Sequence, residues 1–163
     1  HSPLATLMRI IAGRRLVASG RTIRDGHRVV SFTAVPLADL PRLRVFRSHR
    51  GRWDFEPFGI CIRRSWLERR GVRPVTYGGE SEWQGLQEED RRFFQHVRTQ
   101  EASMNSAKAG PAPIDWSVER EWRHAGDLDL LELNADDAIL FAPTAQEARK
   151  LLEISLWPVT VLA

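Results

Sequence analysis

The stretch Ala138-Ile139-Leu140-Phe141-Ala142 is apolar throughout and has the length of one strand. A run without polar alternation is typical of a strand covered on both faces, so it predicts a central strand. A second run, Phe58-Gly59-Ile60-Cys61-Ile62, has the same character and also predicts a central strand. Gly59 within it indicates a bulge or a close backbone approach. These two runs predict the sheet around which the chain folds.

Two further runs are predicted to join that sheet. Residues 29–33 read Val-Val-Ser-Phe-Thr, and β-branched and aromatic side chains favour a strand. Residues 116–124 alternate and also predict a strand. We expect one sheet that contains residues 29–33, 58–62, 118–124 and 138–142.

Short helices are predicted around these strands. Leu4, Leu7 and Ile11 recur at helical spacing behind Ser2 and Pro3, and Gly13 is the predicted end of this helix. Further helices are predicted at capping boxes over residues 65–68 and 144–147, and over residues 81–97. Strands and helices interleave irregularly, which favours an α+β fold with a mixed, mostly antiparallel sheet flanked by short helices.

Length and composition bound the class of protein. The chain has 163 residues, 42% of them hydrophobic and 28% charged, which predicts a single globular domain over residues 1–163 with a mobile loop at about 99–113. No apolar run approaches the ~18 residues of a membrane span, so no membrane association is predicted. The lone Cys61 excludes an internal disulfide and indicates a reducing, cytoplasmic setting.

Charge is segregated along the chain. Residues 1–79 carry 16 Arg against 5 acidic residues, a net charge of +11, whereas residues 80–163 carry 8 basic against 16 acidic residues, a net charge of −8. Two explanations are open. The basic half contacts nucleic acid, with Arg42, Arg44, Arg47, Arg50 and Arg52 as one exposed patch, or the two halves neutralise each other in the folded chain.

Two pairs of polar side chains have chemical content. On a strand, Glu119, Glu121 and Arg123 share one face, so two carboxylates lie side by side. Such pairs can orient a substrate hydroxyl or stabilise a positive centre, although a solvated strand face is the plainer explanation. Ser31 and Thr33 likewise share a face and could hold the polar edge of a ligand. Glu121 is not predicted to belong to the core.

The order of these features resembles a bacterial family associated with abortive phage infection (AbiGi-like). The residues that carry the resemblance span most of positions 4–142 and include Arg15-Leu16, Val29-Val30-Ser31-Phe32-Thr33, Phe58-Gly59-Ile60, Trp66-Leu67, the run from Gly71 to Tyr77, and Glu119-Arg120-Glu121-Trp122-Arg123. More remotely, the chain is similar to the mono-ADP-ribosyltransferases, in which a Ser-x-Thr/Ser strand and a later Glu-x-Glu strand frame an NAD pocket.

The second resemblance implies a role for each matching residue. Ser31 and Thr33 would line the nicotinamide side of the pocket, with Arg123 as a further cofactor-binding residue. Glu121 would hold the nicotinamide-ribose hydroxyl and stabilise the oxocarbenium-like carbon, while Glu119 would orient the acceptor. The implied function is an ADP-ribosyltransferase-like domain of a bacterial defence or toxin system, which transfers ADP-ribose from NAD to nucleic acid or protein.

The chain departs from that superfamily at its start, because it opens on a helix instead of a strand whose Arg or His grips the dinucleotide. Three explanations are open. Either a native N-terminal strand precedes residue 1, or an arginine of the basic half takes the place of that Arg or His, or the fold is kept without the activity. The alternative function is a non-catalytic module of a phage-defence system that binds nucleic acid, a protein partner or an antitoxin. A metal-dependent phosphodiesterase built on Glu119 and Glu121 ranks lower, since no lysine lies near them, and no metal site is predicted.

Overall fold

The computed structural model describes residues 2–21, 23–47, 52–97 and 120–162. Both helices and strands are present and the sheets are mixed, which confirms the α+β class. The loop expected at residues 99–113 lies outside the described residues.

The helices are short and the strands are many. The α-helices are α1 (Pro3–Gly13), α2 (Leu40–Leu43), α3 (Arg64–Arg69), α4 (Glu80–Gly85), α5 (Glu88–Arg91) and α6 (Ala145–Leu152). The strands are β1 (Arg15–Leu16), β2 (Val29–Thr33), β3 (Phe46–Arg47), β4 (Arg52–Trp53), β5 (Gly59–Ile62), β6 (Arg73–Pro74), β7 (Thr76–Gly78), β8 (Phe94–His96), β9 (Glu121–Ala125), β10 (Leu128–Asp129), β11 (Ala138–Ala142) and β12 (Val159–Val161).

The chain divides into two compact units. The first unit comprises His1–Val17, Val35–Gly71 and Asp127–Ala163, and the second comprises Ala18–Ala34 and Val72–Gly126. Each unit is therefore assembled from segments that are distant in the sequence. The assignment of residues 1–163 to one domain stays a prediction.

A three-stranded sheet with the order β12-β11-β5 forms the core of the first unit. The central position of β11 is confirmed: it pairs in parallel with β12 and antiparallel with β5, and Leu140 is fully buried. Helix α6 packs against β11 and β12 through the buried Leu151. The predicted central position of β5 is wrong, because β5 lies at the edge of this sheet and its residues are only half-buried.

Three helix starts of the first unit test the capping predictions. Helix α1 has the expected cap, since the Ser2 hydroxyl accepts from the Ala5 N–H, and Thr144 accepts from the Glu147 N–H in front of α6. The capping box predicted at Ser65 is wrong. Helix α3 already begins at Arg64, so Ser65 lies inside the first turn, where it cannot cap the helix.

A different three-stranded sheet, with the order β2-β9-β6, forms the second unit together with the parallel pair β7-β8. All four runs expected in one sheet are strands, but β2 and β9 belong to this sheet while β5 and β11 belong to the first unit. The single sheet is therefore wrong. Strand character is a local property of the sequence, whereas pairing is decided between distant segments.

The continuous helix expected over residues 81–97 is also wrong. The chain forms α4, leaves helical geometry at Leu86, forms α5 and then continues as β8. Phe93 and Phe94 are both buried, and Phe94 lies in β8, which pairs with β7.

Candidate functional site

The antiparallel pairing of β2 with β9 brings the predicted polar pairs together. Thr33 lies opposite Glu121, and Ser31 lies opposite Arg123. Successive residues of a strand point to opposite faces, so these four side chains share one face of the second unit's sheet. The pairing thus places Ser31 and Thr33 beside Glu121, whereas the pocket that the resemblance implies between them stays a prediction.

The Glu121 carboxylate is held by two neighbours. The Ser31 hydroxyl donates to Glu121 Oε1 at 2.7 Å, and Arg123 donates from Nε to Oε1 at 2.8 Å and from Nη2 to Oε2 at 2.9 Å. The Glu121 side chain is 16% exposed, so it is largely enclosed but does not belong to the fully buried core. A charged group this enclosed needs its partner, because transfer of an unpaired carboxylate out of water is costly.

Arg123 is the most enclosed charged side chain in the described part of the chain, at 1% exposed. Besides its two bonds to Glu121, Nη1 donates to the carbonyls of Arg92 and Phe94, at 3.1 and 2.8 Å, and Nη2 donates to Gln95 Oε1 at 2.7 Å. These bonds occupy all five N–H groups of a guanidinium. Arg123 therefore has no donor left for a dinucleotide phosphate, and its geometry is that of a residue that positions Glu121.

Glu119 lies outside the described residues. The next residue, Arg120, has φ 45°, in the left-handed region. Strand β9 accordingly begins at Glu121, and the Arg120 carbonyl accepts from the Ala34 N–H at 3.0 Å.

Some residues around Glu121 were not identified from the sequence. Gln95 and the two carbonyls that surround Arg123 come from the segment that ends α5 and enters β8. The Tyr77 hydroxyl accepts from the Glu121 N–H at 3.4 Å. Nothing local in the sequence marks these groups, since they meet Glu121 and Arg123 only through the pairing of distant strands.

A pocket of about 340 Å³ lies on the second unit, lined by Arg73, Pro74, Thr76, Leu86, Asp90, Phe93 and Phe94. Arg73 is ion-paired with Asp90 at 2.9 Å and its guanidinium carbon lies 3.9 Å from the centre of the Phe93 ring. Neither Ser31 nor Glu121 is among its lining residues. This pocket is therefore not the cleft expected beside Glu121.

A second polar cluster of this unit surrounds Trp83. The Arg24 guanidinium carbon lies 4.5 Å from the centre of the Trp83 ring. Arg24 also donates from Nη1 to Glu80 Oε2 at 2.7 Å and from Nη2 to Glu80 Oε1 at 3.1 Å. His96 lies 3.6 Å from the same carboxylate. The hydrogen bond from Arg24, more than any other contact, lowers the pKa of Glu80 from its ordinary value, and the same bond raises the pKa of Arg24.

Ion pairs account for part of the segregated charge. Arginines of residues 1–79 contact acids of residues 80–163 in both units, in the pairs Arg15–Asp127, Arg24–Glu80, Arg63–Asp137, Arg70–Glu132 and Arg73–Asp90. These pairs support the neutralisation explanation for the arginines involved. Arg42 and Arg44, which belong to the patch predicted for nucleic acid, do not contact acids of residues 80–163 in these pairs. Arg42 lies 3.6 Å from Asp39, in its own half of the chain, and Arg44 stacks on Trp53.

No helix within the described ranges has the length and apolar character needed to cross a membrane. No group of three or more His, Cys, Asp or Glu side chains there is arranged to hold a metal ion.

No protein-family model, curated protein or solved structure matches this chain. Both family resemblances therefore stay predictions.

Proposed function

We propose that this chain is an ADP-ribosyltransferase-like domain that transfers ADP-ribose from NAD to nucleic acid or protein, in a cytoplasmic bacterial defence or toxin system. One observation carries the proposal. The Ser31 hydroxyl and the Glu121 carboxylate lie 2.7 Å apart on neighbouring strands. A Ser-x-Thr strand beside a strand that carries the essential Glu is the arrangement that the resemblance implies.

The Glu121 carboxylate fits a ribose hydroxyl. Oε2 accepts one hydrogen bond, from Arg123, and a carboxylate oxygen can accept a second. Ser31 is exposed, so the edge of the pair from which it donates is open to solvent. Ser31 and Arg123 together fix the carboxylate, which spares it reorganisation when positive charge develops nearby.

The glycosidic bond of NAD breaks and its electron pair leaves with nicotinamide. A lone pair of the acceptor forms the new bond to the same ribose carbon, and the acceptor's proton passes to water. Glu121 stabilises the positive charge at that carbon. Arg123 keeps the Glu121 carboxylate oriented. Arg123 also neutralises part of the negative charge of Glu121. The hydrogen bond from Ser31 is therefore needed to orient the part of the carboxylate that Arg123 leaves free.

Nicotinamide release and transfer of labelled ADP-ribose test the proposal, with an oligonucleotide and a protein mixture as acceptors. Glu121→Gln removes the charge and should lower the rate about 10²-fold or more. Glu153→Gln is the matched control, since Glu153 is exposed. Because Glu121 supports a buried arginine, the rate is referred to the folded fraction measured by circular dichroism.

Ser31→Ala is the second variant, because it leaves the ion pair intact. Loss of one hydrogen bond of 0.5–1.5 kcal/mol corresponds to a fall of about two- to thirteen-fold in rate. Absence of both NAD binding and nicotinamide release in the folded wild-type chain would overturn the proposal.

A non-catalytic module is the second candidate, and the full occupancy of the Arg123 donors favours it. A buried arginine bonded only to groups of its own unit is what a structural ion pair shows. In that case Glu121→Gln would lower the free energy of unfolding, and neither the wild-type chain nor the variant would bind NAD or release nicotinamide. Titration of NAD into the wild-type chain separates the two candidates.

A further inference from the structure

An exposed aromatic pair lies on the β3-β4 hairpin of the first unit. Phe46 and Trp53 are register partners on the two strands, with ring centres 5.4 Å apart and an edge-on angle of 62°. Their exposed fractions are 50% and 42%. Large aromatic side chains are usually mostly buried, so an exposed pair indicates a surface that a ligand covers.

An arginine completes this surface. The guanidinium carbon of Arg44 lies 4.7 Å from the centre of the Trp53 ring, and Arg44 is itself exposed. A guanidinium over an indole keeps its charge and still presents N–H groups at its edge. Arg42, whose side chain is 84% exposed and lies 3.6 Å from Asp39, is two residues earlier. We call Arg42, Arg44, Phe46 and Trp53 the hairpin platform.

The sequence around the platform is rich in positive charge. Residues 40–53 contain five arginines and no acidic residue, and one acid flanks the segment at each end, Asp39 and Asp54. Elsewhere in residues 1–79 many arginines are ion-paired to carboxylates, as in Arg63–Asp137 and Arg73–Asp90. Arg44 instead packs on an aromatic ring, so its charge remains available to an anion.

We propose that the hairpin platform binds single-stranded nucleic acid. Unpaired bases stack on the exposed rings of Trp53 and Phe46, and Arg42 and Arg44 neutralise the adjacent phosphates. A duplex hides the faces of its bases and offers only phosphates to such a platform. An acidic peptide would use the arginines but leaves the aromatic pair without a flat partner, so nucleic acid accounts for both features.

This inference goes beyond the proposed transfer reaction and is tested in the absence of NAD, so its failure leaves that proposal standing. A fluorescein-labelled thymidine dodecamer is titrated with the full chain and followed by anisotropy, and an oligouridine of equal length is the RNA arm. Trp53→Ala should weaken binding about ten-fold or more, in the range measured for loss of one base–aromatic stack. Trp53→Phe should restore most of the affinity.

The salt dependence of the binding constant measures the electrostatic contribution to binding separately from stacking. The logarithm of the association constant should fall linearly with the logarithm of salt concentration, and Arg44→Ala should make the slope shallower by about 0.7, the value of one single-strand phosphate contact. Arg149→Ala and Leu156→Ala are the matched controls, because Arg149 and Leu156 are an exposed arginine and an exposed leucine away from the hairpin.

Three results would overturn the proposal. The first is no binding of either oligonucleotide at low salt. The second is equal weakening by Trp53→Ala and Leu156→Ala. The third is displacement by duplex DNA or inorganic polyphosphate as effectively as by single strands, since that would show attraction of charge without stacking.

Discussion

Arg123 Nε donates to Glu121 Oε1 at 2.8 Å along one face of β9, and the arginine is 1% exposed. The two residues are two positions apart on one strand and form an ion pair. The segment around Phe94 buries Arg123, the positively charged partner. The Coulomb attraction of such a pair is offset by desolvation, so the pair is worth little against an apolar replacement. Removing only one partner is different, because it leaves the other charge unpaired.

Arg123→Met is therefore expected to lower the free energy of unfolding by about 3–5 kcal/mol. The loss arises because the Glu121 carboxylate and the carbonyls of Arg92 and Phe94 lose their donor. Urea unfolding followed by tryptophan fluorescence measures it. Arg149→Ala, at an exposed position, should change the free energy by no more than about 0.5 kcal/mol.

The double variant Glu121→Gln/Arg123→Met shows whether the two side chains act as one unit. Its loss should be smaller than the sum of the two single losses, because the second substitution removes a charge that the first left unpaired. Strict additivity would contradict the assignment of Arg123 as the residue that positions Glu121.

Period-two alternation predicts that Ser31 and Thr33 share one face of a strand and that Glu121 and Arg123 share another. The contact between Ser31 and Glu121 depends in addition on the pairing of β2 with β9, which the resemblance implies and no local pattern determines. The surroundings of Arg123 could not be predicted from the sequence. Gln95 and the Phe94 carbonyl reach it from β8, which was predicted as helix, and the sequence carries no local sign of that contact.

The same distinction holds for the fold. Helix α1, with its cap at Ser2, and the strand at Ala138–Ala142 follow from local patterns and are confirmed. The division of the predicted sheet between two units depends on which strands pair. The apolar run of β5 predicts a central strand, but β5 lies at the edge and its residues are only half-buried, because an apolar run does not by itself determine a strand's place in the sheet.

Acid should weaken the contribution of Glu80 to stability. Its hydrogen bond from Arg24 lowers the pKa of the carboxyl in the folded chain, so the contribution is fully present above the ordinary glutamate pKa of about 4.3 and is lost as pH falls through the lowered folded value. The wild-type chain should have a higher urea midpoint than Glu80→Gln at neutral pH, and the difference should shrink towards zero in acid. A difference that stays constant with pH would contradict this role, and Glu153→Gln is the control.

The Cys61 thiol should be slow to react in the folded chain. Cys61 lies on β5, and burial raises its pKa above the ordinary value, which lowers the fraction present as the reactive thiolate. Alkylation by iodoacetamide at mildly alkaline pH should be slower in buffer than in denaturing urea, as measured by mass spectrometry. Equal rates in the two conditions would show that β5 leaves its thiol open.

Gly59 should not tolerate a side chain, because it lies opposite Phe141 in the β5-β11 ladder and the phenyl ring covers it. A Cβ atom built on Gly59 would lie 2.5 Å from Phe141 Cζ, closer than carbon atoms can approach, so the ring or the edge strand would have to move. Gly59→Ala is expected to lower the free energy of unfolding by about 1–3 kcal/mol, as overpacked cores do. Gly13→Ala is the matched control, since no atom lies within 4 Å of its Cβ position and alanine favours the helix that ends there.

Adding Phe141→Leu to Gly59→Ala removes the clashing ring atoms and should give a loss smaller than the sum of the two single losses, whereas full additivity would show that the ring does not set the limit at Gly59.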